Sequence, residues 1–145
     1  MAINAEELNA SLTRFVTTTL GIQGAALVTP DGLPLASSLP NNSDEDRAAA
    51  MAAAMLALGE RIGNELARGS VDRIFIEGDA GFSLLTRCTN DSVLLVLAST
   101  SVKQGLLMYE VRQLVEDLRR SLRRASGFAP AHASGESASR LQARA

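Results

Sequence analysis

Residues 92–98, with the sequence SVLLVLA, constrain the fold of this 145-residue chain more than any other segment. They form an unbroken apolar run of strand length, and two turn residues, Asn90 and Asp91, stand directly before it. A strand with one face in water alternates apolar and polar residues, so a continuous run predicts a strand that is covered on both faces. We therefore expect a central strand in a layered sheet.

An earlier pair of strands is predicted on either side of a turn at residues 30–32 (PDG). Residues 24–29 (GAALVT) form the first strand, and residues 33–38 (LPLASS) form the second. Proline presets φ for a tight turn, and glycine accepts a positive φ. Because Pro34 cannot donate a ladder hydrogen bond, the second strand is predicted at an edge of the sheet.

Two further strands, residues 71–77 (VDRIFIE) and 81–89 (GFSLLTRCT), lead into the central run as an antiparallel meander. The first of them places Ile74 and Ile76 on one face and Phe75 on the other. It has neither the proline nor the lysine that normally protects a sheet edge. It is therefore predicted as the second edge, where another copy of the chain can pair with it.

Three helices are predicted from apolar residues at helical spacing: residues 5–20, residues 43–68 and a last helix that begins at Ser101. Leu20 is expected in the buried stripe of the first helix, and Ser43 is the expected N-cap of the second. The order α-β-β-α-β-β-β-α indicates an α+β domain, with an antiparallel sheet and helices on its faces.

The middle helix carries a bulky and a small set of residues, each at helical spacing. The bulky set is Met51, Met55, Leu58, Ile62 and Leu66, and the small set is Ala48, Ala52, Gly59 and Gly63. Small side chains let another element approach closely. Either the helix packs tightly on its own sheet, or the middle helix of a second copy packs against it across a two-fold axis. The spacing leaves both interpretations open.

Composition argues against several classes of function. Aromatic residues make up only 3% of the chain, and its 14 basic residues are fewer than its 16 acidic ones. Nucleic-acid binding is therefore not expected. One cysteine, Cys88, and one histidine, His132, cannot supply a clustered metal site, and no phosphate-binding glycine motif occurs. We expect no cofactor, no metal and no catalytic residues.

Two other segments bear on location and domain organisation. The longest uncharged stretch, residues 15–30, is too short and too weakly apolar to span a bilayer, so we expect a cytoplasmic protein without membrane insertion. Residues 126–145 are rich in alanine, serine and glycine and carry few bulky apolar residues. They are predicted to be a disordered C-terminal tail that follows one domain, residues 1–125.

Four segments resemble the Roadblock (dynein light-chain Roadblock-type) superfamily. They are the hairpin VTPDGLPLASS, the helix start SDEDRAAAMAAAMLALGERIG, the strand VDRIFIE and the last strand and helix SVLLVLASTSVKQGLLMYEVRQLVEDL. Together with the element order, the resemblance covers residues 5–124. It implies a five-stranded antiparallel sheet in the order 2-1-5-4-3, as in profilin/longin-like sandwiches. The middle helix is expected on one face, and the first and last helices on the other.

The resemblance also implies partners. Members commonly form homodimers by pairing their third strands and middle helices, and prokaryotic members typically accompany a small Ras-like GTPase as a non-enzymatic regulator or scaffold. The implied dimer residues are Ala52, Ala53, Leu56, Gly59, Ile74, Phe75 and Ile76. The implied GTPase-binding residues are Arg47, Arg61, Asn64 and Arg68. The alternative interpretation is a small-ligand sensor or signalling domain without a GTPase partner.

Overall fold

The computed structural model describes residues 4–41 and 43–126. Within these ranges the elements follow the predicted order. They are α1 Ala5–Thr18, β1 Ile22–Val28, β2 Pro34–Ser38, α2 Glu45–Glu65, β3 Arg73–Gly78, β4 Gly81–Thr89, β5 Ser92–Ala98 and α3 Gln104–Ser126. The predicted C-terminal tail lies outside the described residues except for Ser126, which is the last residue of α3.

The five strands form one antiparallel sheet in the order β2-β1-β5-β4-β3, which confirms the predicted order. The apolar run of β5 lies in the centre, where Leu95 pairs with Ala26 of β1 on one side and with Leu85 of β4 on the other. The strand that contains Pro34 and the strand that contains Phe75 are the two edges.

Alternating side chains of β5 enter two separate cores. Leu94 and Val96 are fully buried in a core formed with α1 and α3, whereas Val93 is fully buried in a second core under α2. The continuous apolar run therefore has the physical cause that was predicted, since helices cover both faces of the strand. A partly buried ion pair between Arg87 of β4 and Glu60 further fastens α2 to the sheet.

Two helices are shorter at their C-terminal ends than predicted. The first ends at Thr18 because the backbone of Thr19 turns extended to lead into β1, so the prediction that Leu20 is buried is wrong: it is 92% exposed. The second ends at Glu65 rather than at residue 68, because the chain leaves the helix through Ala67 with a φ of 57°.

Two helix starts also differ from the prediction. The N-cap of α2 is Asp44 rather than Ser43, because the Asp44 carboxylate accepts the backbone N–H of Arg47 at 3.1 Å. The third helix begins at Gln104, three residues after Ser101. The hydroxyl of Ser101 instead lies 2.8 Å from the hydroxyl of Ser99, in the turn that precedes the helix.

Candidate protein-interaction surface

The side of α2 that faces the sheet is built mainly from small residues, so the helix lies close to the strands. A Cβ at Gly59 would lie 2.7 Å from Cδ1 of Ile74, and a Cβ at Gly63 would lie 2.4 Å from the carbonyl oxygen of Gly69. Both distances are shorter than van der Waals contact. At Gly63 the neighbour is a backbone oxygen, so only glycine fits, whereas at Gly59 the end of the Ile74 side chain would have to move. Of the small set, Ala52 and Gly59 thus face the protein's own sheet, and Gly63 faces the loop that follows the helix.

The bulky residues of α2 consequently lie on a flank that faces away from the sheet. Four of them, with Ile76 on the same face of β3, are exposed although they are large and apolar; Met51 is 60% exposed and Leu66 is 63% exposed. Met55 is half-buried against the core under α2. We call this surface the apolar patch: Met51, Met55, Leu58, Ile62, Leu66 and Ile76. Exposed apolar patches of this kind mark interaction surfaces.

The apolar patch lies on the β3 side of α2. Gly59 places the helix directly over Ile74, and Ile76 follows Ile74 on the same face of the strand by the two-residue period. The patch therefore extends from the helix flank toward the edge of the sheet.

The two sheet edges differ in whether the outer side of the strand backbone is hydrogen-bonded. At the β2 edge, the side-chain oxygen of Asn9 on α1 accepts the backbone N–H of Ser37 at 2.9 Å, and the Ser37 hydroxyl donates to Glu45 at 2.8 Å. At the β3 edge, no described residue outside β4 bonds to the strand's backbone. The second edge is therefore free to accept a further strand.

The seven residues implied for the dimer divide into two groups. Ala52, Ala53 and Leu56 are buried within the single chain, and Ala52 and Leu56 pack in the core under α2. Gly59, Ile74 and Phe75 are half-buried and Ile76 is exposed, all at or near the β3 edge.

The sequence shows the bulky residues of α2 but does not show that they face outward. Both the bulky and the small residues have helical spacing, so periodicity fits either set against the sheet. Only their packing shows which set meets the sheet.

The four residues implied for GTPase contact all lie exposed on α2 or just after it. Arg47 pairs with the N-cap Asp44, and Arg61 pairs with Glu65 one turn later at 3.0 Å. Arg68 lies beyond the helix, where its Nε donates to the carbonyl of Leu66 at 3.0 Å. They follow the helix from one end to the other and do not converge on a single point.

The single cysteine is placed for packing. Cys88 is fully buried in the core beneath α1 and α3, and burial raises the pKa of its thiol above the ordinary value of 9.0. A buried thiol that stays protonated is a poor nucleophile. His132 lies outside the described residues, and within them no group of three or more metal-ligating side chains converges.

A cavity of about 630 Å³ lies next to the β4–β5 turn. Apolar Leu35 and Leu122 line it together with charged Asp72 and Arg119. A small-ligand sensor would use such a cavity, and that interpretation stays a prediction. Among the helices described here, none has both the length and the apolar character needed to cross a membrane.

Comparison with known proteins adds sequence relatives. Two uncharacterized proteins of Methanocaldococcus jannaschii are 33% and 32% identical to this chain over 101 residues, which is 70% of this chain and 88% of each relative. The aligned length covers most of both molecules, so the likeness concerns the domain as a whole.

Solved structures with the same fold come from several organisms. A Roadblock/LC7 domain from Streptomyces avermitilis superposes with a TM-score of 0.73 at 24% identity, over 79% of this chain and 96% of that one. MglB of Myxococcus xanthus superposes with a TM-score of 0.75 at 18% identity, over 83% and 90%. Acanthamoeba castellanii profilin II superposes at 0.59 and 14% identity, over 77% and 96%, in keeping with the predicted profilin-like sandwich.

A family model gives the assignment directly. The Roadblock/LC7 domain model matches residues 8–98, from α1 through β5. This family is generally without catalytic activity. With its sheet order, its layer arrangement and this match over most of its length, the chain belongs to the Roadblock/LC7 domain family.

Proposed function

We propose that this protein is a cytoplasmic, non-enzymatic homodimer that serves as a regulator or scaffold for a small Ras-like GTPase. The apolar patch beside the open β3 edge is the observation that carries the proposal. Pairing of two β3 strands would satisfy their outer backbone groups, and pairing of two α2 helices would cover the exposed side chains.

The spacing of the patch on α2 suits an antiparallel contact with an identical helix. Met51 and Leu66 lie equally far from the midpoint of the patch, which falls between Leu58 and Gly59. Met55 and Ile62 are also equidistant from that midpoint. A two-fold axis there brings Met51 of one copy to Leu66 of the other, and Met55 of one copy to Ile62 of the other.

The energetics favour a stable pair. Burial of one half-exposed Leu, Ile or Met side chain contributes about 1–2 kcal/mol. Several such side chains from each copy, with the new strand hydrogen bonds, offset an association cost of about 4–15 kcal/mol. The revised dimer surface is therefore the apolar patch together with the β3 edge, whereas Ala52, Ala53 and Leu56 support it from inside.

The GTPase contact is proposed from membership of the family and from charge. Arg47, Arg61, Asn64 and Arg68 are exposed along α2, and none of them belongs to the apolar patch. They are thus available to a second protein while the patch is covered by another copy. A contact spread along one helix suits a broad protein surface rather than a small ligand.

A binding measurement with purified components tests the GTPase proposal. The full chain is immobilised, and small Ras-like GTPases from the same cell are passed over it in the GDP-bound form and with a GTP analogue. We expect one of them to bind in at least one nucleotide state, and Arg47→Glu with Arg61→Glu to weaken binding about tenfold.

A matched control is Arg14→Glu, which reverses an exposed arginine on α1 and should leave GTPase binding unchanged. If no GTPase binds in either state, or if the α1 variant weakens binding as much as the α2 variant, the proposed contact is wrong.

A further inference from the structure

Two adjoining cavities lie on the face of the sheet opposite α2, one between α3 and the β3–β4 strands and one beside the β4–β5 turn, and we call them together the groove. The cavities, of about 360 Å³ and about 630 Å³, share Asp72, Arg87 and Arg119 in their walls. The first begins at Met108 near the start of α3, and the second reaches Arg123 near its end. The shared wall residues show that the two cavities adjoin each other.

Arginines outnumber acidic residues in the walls of this groove. The arginines Arg73, Arg112, Arg119 and Arg123 line it, against the three acidic residues Asp72, Asp91 and Glu116. Arg87 also lines both cavities, but its side chain pairs with Glu60 of α2 on the other face of the sheet. The whole chain has a net charge of −2, so the positive charge of the groove is opposite in sign to that of the chain. Such a field attracts negatively charged ligands.

Two of the arginines make no ion pair with any described residue. Arg73 on β3 and Arg112 on α3 stand on opposite sides of the smaller cavity, and no described carboxylate lies within pairing distance of either. By contrast, Arg87 is held by Glu60, and Arg119 donates to the carbonyl of Cys88 at 2.6 Å. The groove therefore offers two guanidinium groups ready to bind carboxylates.

The remaining walls suit a polypeptide. Met108, Val111 and Val115 give the smaller cavity an apolar side, and Thr86 and Gln113 provide hydrogen-bonding groups. The groove follows α3 from Met108 to Arg123, a rise of about 22 Å, which matches about six or seven residues of extended chain. The described residues that line it include no aromatic side chain on which a nucleic-acid base could stack.

We propose that this groove binds an extended acidic peptide segment of a partner protein. Carboxylates of the segment pair with Arg73 and Arg112, and an apolar side chain between them contacts Met108 and Val111. The proposal goes beyond the dimer and the GTPase contact, because the groove lies on the opposite face of the sheet from the apolar patch. A dimer would present one such groove on each copy.

Fluorescence polarisation tests the proposal with the full chain and a labelled seven-residue peptide, acetyl-Asp-Glu-Leu-Asp-Leu-Glu-Asp-amide. We expect saturable binding that weakens as salt rises, since exposed charge pairs are screened. The double variant Arg73→Glu, Arg112→Glu should bind the peptide at least about tenfold more weakly. Arg14→Glu on α1 has the same charge change per site and should bind it as the unaltered chain does.

Two further probes distinguish specific binding from general attraction of anions. A peptide with Asn and Gln in place of Asp and Glu should not bind. A single-stranded oligonucleotide of equal charge should bind more weakly than the acidic peptide. Absence of peptide binding, equal binding of the oligonucleotide, or loss of binding in Arg14→Glu as large as in the double variant would overturn the proposal.

Discussion

The side-chain oxygen of Asn9 accepts a hydrogen bond from the backbone N–H of Ser37 at 2.9 Å, which ties α1 to the outer strand β2. This bond occupies a backbone donor that a neighbouring strand would need. The opposite edge, β3, has no such contact from the described residues, so it is the edge more open to a further strand. A pair of chains joined at β3 would have β2 at both outer edges.

Replacement of Asn9 by alanine should remove this hydrogen bond and leave the Ser37 N–H to water. We expect the free energy of unfolding in urea to fall by about 1 kcal/mol. Asn90→Ala, in the exposed β4–β5 turn, is the matched control and should change stability by less than about 0.5 kcal/mol. Equal effects of the two variants would show that the Asn9 bond does not hold the edge.

Gly63 and Gly105 make a second pair of matched positions. A Cβ at Gly63 would lie 2.4 Å from a backbone oxygen, whereas a Cβ at Gly105 would meet nothing within 4 Å. Gly63→Ala should therefore destabilise the protein by about 1–3 kcal/mol, because the end of the helix and the loop at Gly69 must move apart.

Gly105→Ala should instead be neutral or stabilise by up to about 1 kcal/mol, since alanine favours helix. Urea denaturation of both variants measures the difference. A Gly63→Ala protein as stable as the unaltered chain would contradict the close approach of α2 to the loop after it.

Burial of Cys88 makes stability depend on pH in the alkaline range. Its pKa is raised in the folded state, so the folded protein keeps the thiol proton at a pH where the unfolded chain has released it. The contribution of Cys88 is complete below its ordinary pKa of 9.0 and is lost as pH rises through the folded-state pKa.

Unfolding free energies measured at pH 8 and pH 10 should therefore fall more steeply for the unaltered chain than for Cys88→Ala. The difference should approach about 1.4 kcal/mol for each pH unit between the two pKa values. Equal slopes for the two proteins would mean that Cys88 ionises as easily in the folded state as in the unfolded one.

Much of the fold could be predicted from the sequence, because local chemistry and packing agree there. The apolar run of β5 required two covered faces, and Pro34 required an edge. The ends of helices were less predictable. Leu20 continues the apolar spacing of α1, so the sequence predicts a longer helix. The helix ends earlier because the backbone becomes extended at Thr19 to enter β1.

The interaction surface could be predicted only in part. Both the bulky and the small residues of α2 repeat at helical spacing, so periodicity does not say which set meets the sheet. The arginine groove was not predicted, since Arg73 and Arg112 come from β3 and α3, which are distant in sequence and approach each other only in the folded chain.

Charge placed in the apolar patch should prevent dimer formation without unfolding the chain. Leu58→Asp with Ile62→Asp changes two side chains that are each about half exposed, so the single chain loses little packing. A matched control is Leu106→Asp on α3, where the side chain is equally exposed but lies outside the patch. Circular dichroism should show unchanged helix content in both proteins.

The mass in solution, measured by light scattering at micromolar concentration, tests the proposed dimer most directly. The unaltered chain and Leu106→Asp should have the mass of two chains, and the Leu58→Asp, Ile62→Asp protein should have the mass of one. A single-chain mass for the unaltered protein would contradict the account, as would a two-chain mass for the folded patch variant.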